Sequence, residues 1–176
     1  LGTLILWLGW FFFNGGSQLA FSTIADADAL GKIFVNTNMA AAGGLLGAMI
    51  VSKICTKKVI LNVTLNGALA GLVVITADPY TPSPEIAVLY GMLGGIVIPG
   101  SMTLLEKWGI DDPVGAISVH GIAGIIGLLL LPIFNSGATV LAQLIGIGVI
   151  GGFVFTTSLG IWWVLDKTIG IRVGKE

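Results

Sequence analysis

The parts of this sequence that could do chemistry are one imidazole and a short aromatic stripe ending in a hydroxyl. His120 is the single histidine. Counted as α-helix from Pro113 at 1.5 Å per residue, it stands about 10 Å along its helix, near the middle of a bilayer. On that count its face carries Pro113, Ala116, Ile117, Ala123, Gly124 and Gly127, all small or apolar, which leaves room beside the ring. A titratable group at such a depth is costly and points to a functional site. The other reading is a neutral ring donating one hydrogen bond between helices. Trp10, Phe13 and Ser17 fall at helical spacing and share one stripe. A hydroxyl above aromatic faces suits a small cation, through hydrogen bonding and cation–π attraction; aromatic residues of a membrane-spanning helix are the plainer alternative. Asp111-Asp112-Pro113 reads as a helix start, with Asp as cap and Pro at the first helical position.

These residues need apolar elements to hold them, and the composition supplies little else. Of 176 residues, 55% are hydrophobic and 10% charged, and the mean hydropathy is +1.01. A soluble domain carries about 25% charged residues to face water, so a water-covered globule is excluded. Net charge is −1 with no basic run, which points away from nucleic acid. Cys55 is the lone cysteine and allows no intrachain disulfide. No catalytic constellation, cofactor or metal ligand set is expected, and the chain is read as a non-enzyme.

A hydrocarbon core of about 30 Å needs about 20 apolar residues per helix. Six stretches qualify, at 1–22, 35–52, 59–76, 86–105, 114–134 and 139–165. Helices satisfy their own backbone in lipid, so the expected class is an all-α polytopic membrane protein. Connections are expected at Asp26–Lys32, Cys55–Lys58, Asp78–Glu85, Lys107–Pro113 and Asn135–Gly137. The third of these holds Pro79, Pro82 and Pro84 and cannot be helix interior. Pro99 lies inside the fourth span, as a kink lining a cavity or as a tolerated proline. Gly43/Gly47, Gly67/Gly71, Gly91/Gly95 and Gly148/Gly152 repeat the small-xxx-small spacing of closely packed membrane helices.

Basic residues set the orientation. Lys53, Lys57, Lys58, Lys107, Lys167, Arg172 and Lys175 fall on one side, and Lys32 alone on the other. The first side is expected to be cytoplasmic, with residue 1 and the C-terminal tail both inside. Leu1 is not Met and already lies in an apolar run, so the chain is expected to be a piece of a longer protein.

Asp111-Asp112-Pro113-Val114-Gly115-Ala116-Ile117-Ser118-Val119-His120-Gly121 closely resembles a signature of the ammonium transporter (Amt/MEP/Rh) family. Three further runs resemble others in the expected order: Leu6 to Ser17, Asn36 to Ala42, and Asn66 to Thr76. The resemblance covers essentially the whole chain, residues 1–176, and the ordered set is more specific than any one motif. It implies helices six to eleven of an eleven-helix fold, the C-terminal half of a trimeric transporter with one pore per subunit. The charge-derived orientation agrees with that placement.

The resemblance also implies roles. Ser17 looks like the outer hydroxyl that meets ammonium, Phe13 like one of two gate phenylalanines, and Trp10 like a pore-lining aromatic below the gate. His120 resembles the second member of a twin-histidine pair that assists proton passage. Asp112 and Ala116 would be structural residues near the pore. Ammonium would lose its proton outside, and ammonia would cross an apolar path that rejects a hydrated cation. The implied partners are ammonium or ammonia, the bilayer, two further copies in a homotrimer, and a PII-type regulatory protein. The implied location is the plasma membrane. The first pore histidine and the second gate phenylalanine have no counterpart in the chain. Phe12 stands where glycine is usual and Ala123 where cysteine is common. The Asp111-Asp112-Pro113 form favours the Amt branch over Rh, and an ammonium sensor of the same type is a further alternative.

Overall fold

The computed structural model describes residues 1–171, which include six helices and no strand. Arg172 and Lys175, counted in the charge asymmetry, lie outside the described residues. In chain order the helices are α1 (Gly2–Gly16), α2 (Ile24–Thr56), α3 (Leu61–Thr76), α4 (Pro84–Lys107), a span that starts as a π-helix (Ile117–Ile122) and continues as α5 (Ala123–Phe134), and α6 (Val140–Thr168). Residues Leu1–Gly137 form one compact unit, and α6 belongs to a second. By length and composition, α2, α4, Ile117–Phe134 and α6 can each cross a membrane. The 15-residue α1 and 16-residue α3 are shorter than the full spans expected of them, since 16 residues reach about 24 Å.

The largest departure from expectation is at the first connection. Asp26–Lys32 is not a loop but the opening turns of the 33-residue α2. A capping box places it there: Thr23 Oγ1 accepts from Asp26 N at 3.1 Å, while Asp26 Oδ2 accepts from Thr23 N at 2.9 Å. Conversely, α1 stops at Gly16 rather than running to residue 22. Gly15 and Gly16 are poor helix formers, and Leu19 turns the chain with φ of 59°.

The core of the first unit is the packing of α2, α3 and α4. Ala40, Ala41, Leu72, Val74, Ile75 and Ile98 are buried there. Three of the four glycine pairs lie in this interface, and the fourth, Gly148 and Gly152, is in α6. Gly95 sits against the Gly44 carbonyl, and a side chain at Gly95 would collide with that backbone. Such close backbone approach is what small residues make possible in lipid, where no hydrophobic force drives helices together. Helix α4 runs through Pro99 from Pro84 to Lys107 without a break, and Pro99 borders an open cavity between the ends of α2, α3 and α4.

One end of this unit is tied by polar contacts. Asn36 is buried, and its Nδ2 donates to the Pro79 and Pro82 carbonyls, both at 2.9 Å. Lys32 Nζ lies 4.8 Å from the Tyr80 ring centre and donates to the Thr81 carbonyl at 3.4 Å. Asn135 Nδ2 donates to Asp78 Oδ2 at 3.0 Å. Residues 32, 36, 78–82 and 135 therefore meet at one end of the unit.

Candidate functional site

Trp10 is the joint between the two candidate features. It projects from α1, and its indole lies nearly parallel to the His120 ring, with centres 6.2 Å apart and planes 11° off parallel. Its other neighbour is Phe13, met edge-on at 6.1 Å and 63°, a favourable arrangement for aromatic pairs. The Trp10–Phe13 part of the stripe is thus a ring contact, and through Trp10 it extends across helices to His120. Phe13 is 65% exposed, and His120 and Ser17 are exposed. Ser17 caps the end of α1 and donates a long 3.4 Å bond to the Phe13 carbonyl.

The winding around His120 differs from the α-helical count. Residues Ile117–Ile122 form a π-helix, whose i→i+5 bonding widens the turn and often marks a functional site. His120 is exposed together with Ala116, Ile117 and Gly121, whereas Ala123 and Gly127 turn into the core. The small face expected beside the imidazole is therefore split in two. Neither sequence spacing nor propensity signals this π-turn.

Asp112 caps this span from a distance. Its carboxylate accepts from Ile117 N at 3.2 and 3.1 Å and from Ser118 N at 3.4 Å. The intervening residues form a turn in which Gly115 N donates to the Asp112 carbonyl at 3.1 Å. Gly115 has φ of +75°, which favours glycine, and it packs on the Asn66 side chain. Pro113 lies in the turn and is not the first helical residue, which corrects the expected register of the cap. The carboxylate at the helix start still offsets unpaired N–H groups and the positive end of the dipole.

Behind the indole lies a polar cluster to which the sequence reading assigned no role. Trp10 Nε1 donates to Thr76 Oγ1 at 2.7 Å. Thr76 Oγ1 also lies 2.7 Å from the Leu72 carbonyl and 3.2 Å from Asn14 Oδ1. Asn14, 1% exposed, donates from Nδ2 to Thr37 Oγ1 at 3.0 Å. The usable signal was the presence of Asn14, Thr37 and Thr76 inside apolar helices, where polar groups pair across interfaces. Their partners are set only by the packing of α1, α2 and α3. An open cavity of about 770 Å³ between the ends of α2, α3 and α4, lined by Ser52, Asn62, Pro99 and Lys107 among others, contains none of the candidate residues.

The model of the Ammonium Transporter Family matches residues 1–176. The chain belongs to that family. It is 39% identical to "Ammonium transporter Amt2" of Archaeoglobus fulgidus, an alignment that covers 100% of this chain and 41% of that protein. Among solved structures it is similar to one titled "Sensor Amt Protein", with a TM-score of 0.85 and 36% identity over 99% of this chain and 45% of the other. It is also similar to Mep2 of Candida albicans, with a TM-score of 0.85 and 28% identity over 99% of this chain and 42% of the other. The chain thus spans about two-fifths of the length of the relatives it matches. Family membership and the four long apolar helices together make it a multi-pass membrane protein.

Proposed function

We propose that this chain is the C-terminal half of a transporter that carries ammonium or ammonia across the plasma membrane. One observation carries the reading: the parallel stack of Trp10 on His120, continued by Phe13, on an exposed face of an otherwise apolar chain. In the full-length parent this face lines the path. Ser17 meets the cation at the outer end, Phe13 restricts entry, and Trp10 presents an apolar wall. His120 passes a proton, since one ring nitrogen of an imidazole can accept a proton while the other gives one up, without a fixed charge. Asp112 and Ala116 hold the start of the helix that carries His120. The lysine-rich side is cytoplasmic, three copies assemble, and the cytoplasmic side would meet a PII-type regulator.

The test is uptake of [14C]methylammonium by cells expressing the full-length parent, with and without competing ammonium. Saturable uptake that ammonium blocks is expected. Absence of uptake, in a protein shown to reach the membrane, sinks the transport reading. A second reading, an ammonium sensor, draws on the similarity to the structure titled "Sensor Amt Protein". Ammonium-dependent signalling without transport would favour it.

A further inference from the structure

We propose that Thr76, backed by Asn14, is a positioning residue that sets the plane of the Trp10 indole against His120. The inference rests on the transport reading above. Trp10 has a single polar handle, its Nε1–H, and that handle is held by Thr76 Oγ1 at 2.7 Å. Thr76 is the last residue of α3. Its hydroxyl is held in turn by the Leu72 carbonyl at 2.7 Å and by Asn14 at 3.2 Å. Asn14 reaches on to Thr37 of α2 at 3.0 Å. Either orientation of the Asn14 amide keeps one bond to each hydroxyl. Three helices therefore converge on the back edge of one indole, while its front face carries the imidazole 11° from parallel.

The geometry separates positioning from direct participation. The Thr76 hydroxyl has one proton, and two acceptors already compete for it, while Trp10 occupies one of its lone pairs. That proton is committed within the cluster, and the hydroxyl sits at the N–H edge of the indole rather than on the ring face that meets His120. What it controls is the tilt of Trp10 about its two side-chain torsions, and through the stack, the orientation of His120. Leaving the indole N–H unpaired in apolar surroundings is costly, so without Thr76 the ring turns to find another acceptor.

The experiment uses the full-length parent, with methylammonium uptake and selectivity for ammonium over potassium as readouts. Thr76→Val keeps the shape and removes the hydroxyl; Thr76→Ser keeps the hydroxyl; Trp10→Phe keeps an aromatic ring and removes the donor. Thr76→Val is expected to lower maximal uptake and shift selectivity by about two- to tenfold, the equivalent of one hydrogen bond, with little change in half-saturation. Thr76→Ser should restore both. Trp10→Phe should have an effect of similar size, and the double variant should be no worse than either, because both remove the same bond. Thr76→Val with parental behaviour, Thr76→Ser as impaired as Thr76→Val, or effects that multiply in the double variant would each overturn the proposal. If Thr76→Val does not reach the membrane, Trp10→Phe decides alone, and unchanged selectivity overturns it. A parent with no ammonium-blocked uptake overturns the transport reading and this inference together; uptake with an indifferent Thr76→Val overturns the inference only.

Discussion

The α2–α3–α4 interface and the α1–π-helix face are built on opposite principles. In the first, glycine and alanine bring backbones into contact, as where Gly91 meets the Ala40 carbonyl and Gly95 meets the Gly44 carbonyl. In the second, large rings and one imidazole are left half-buried or exposed, held from behind by Thr76 and Asn14. At Gly91 and Gly95 the interface tolerates no added volume because the neighbours are main chain, which cannot rotate away. Phe13 and His120 of the face are exposed in this chain, so substitutions there remove less packing than substitutions in the interface. Stability and chemistry are therefore separable in this molecule, and substitutions should divide accordingly.

The sharpest way to break that division is Gly95→Leu. Overpacking a well-filled core costs about 1–3 kcal/mol, and a collision with the Gly44 backbone belongs at or beyond the top of that range. Loss of monodisperse, folded protein in detergent is expected on size-exclusion chromatography. Normal assembly would show that the helices separate more easily than the close approach implies.

His120→Ala should do the reverse. Within this chain the ring is exposed and stacks on Trp10, so thermal stability should fall less than for Gly95→Leu. Ammonium conductance or selectivity in the full-length parent should change. Unchanged transport of both ammonium and other cations would reduce His120 to a packing residue.

Asp112→Ala lies between the two classes. Removing a helix cap costs about 1 kcal/mol, and here it also frees the turn that leads into the π-helix. A modest fall in melting temperature together with altered uptake is expected. A change in only one of the two would show that Asp112 serves fold or site alone. Ser17→Leu should have the smallest effect on stability, since its hydroxyl makes only a long bond to the Phe13 carbonyl. It should weaken uptake at low ammonium; an unaltered concentration dependence removes Ser17 from the path.

Much of this was legible in residue types. The helices near 59–76, 86–105, 114–134 and 139–165 are found within a few residues of their expected positions, because runs of apolar side chains admit few alternatives in lipid. The charges of Asp26, Asp28 and Lys32 suggested a loop, whereas the Thr23–Asp26 capping box puts these residues in the opening turns of α2. Charged residues fit a helix readily where it projects beyond the hydrocarbon. Trp10, Phe13 and Ser17 could be placed on one stripe because their spacing lies within one helix. The π-turn at His120 could not, since a regular helical count from Pro113 carries no sign of the wider winding.

Sequence by itself determined that the chain is helical and membrane-spanning, which end of each helix gathers charge, and which side chains could handle a cation or a proton. Those properties follow from solvation of each segment in lipid or water. Tertiary structure alone decided that Trp10 faces His120, that Thr76 and Asn14 hold the indole, and that His120 turns away from Ala123 and Gly127. Each of these depends on atoms brought together from distant segments. A 2.7 Å bond between residues 66 apart in the chain exists only once α1 and α3 have packed.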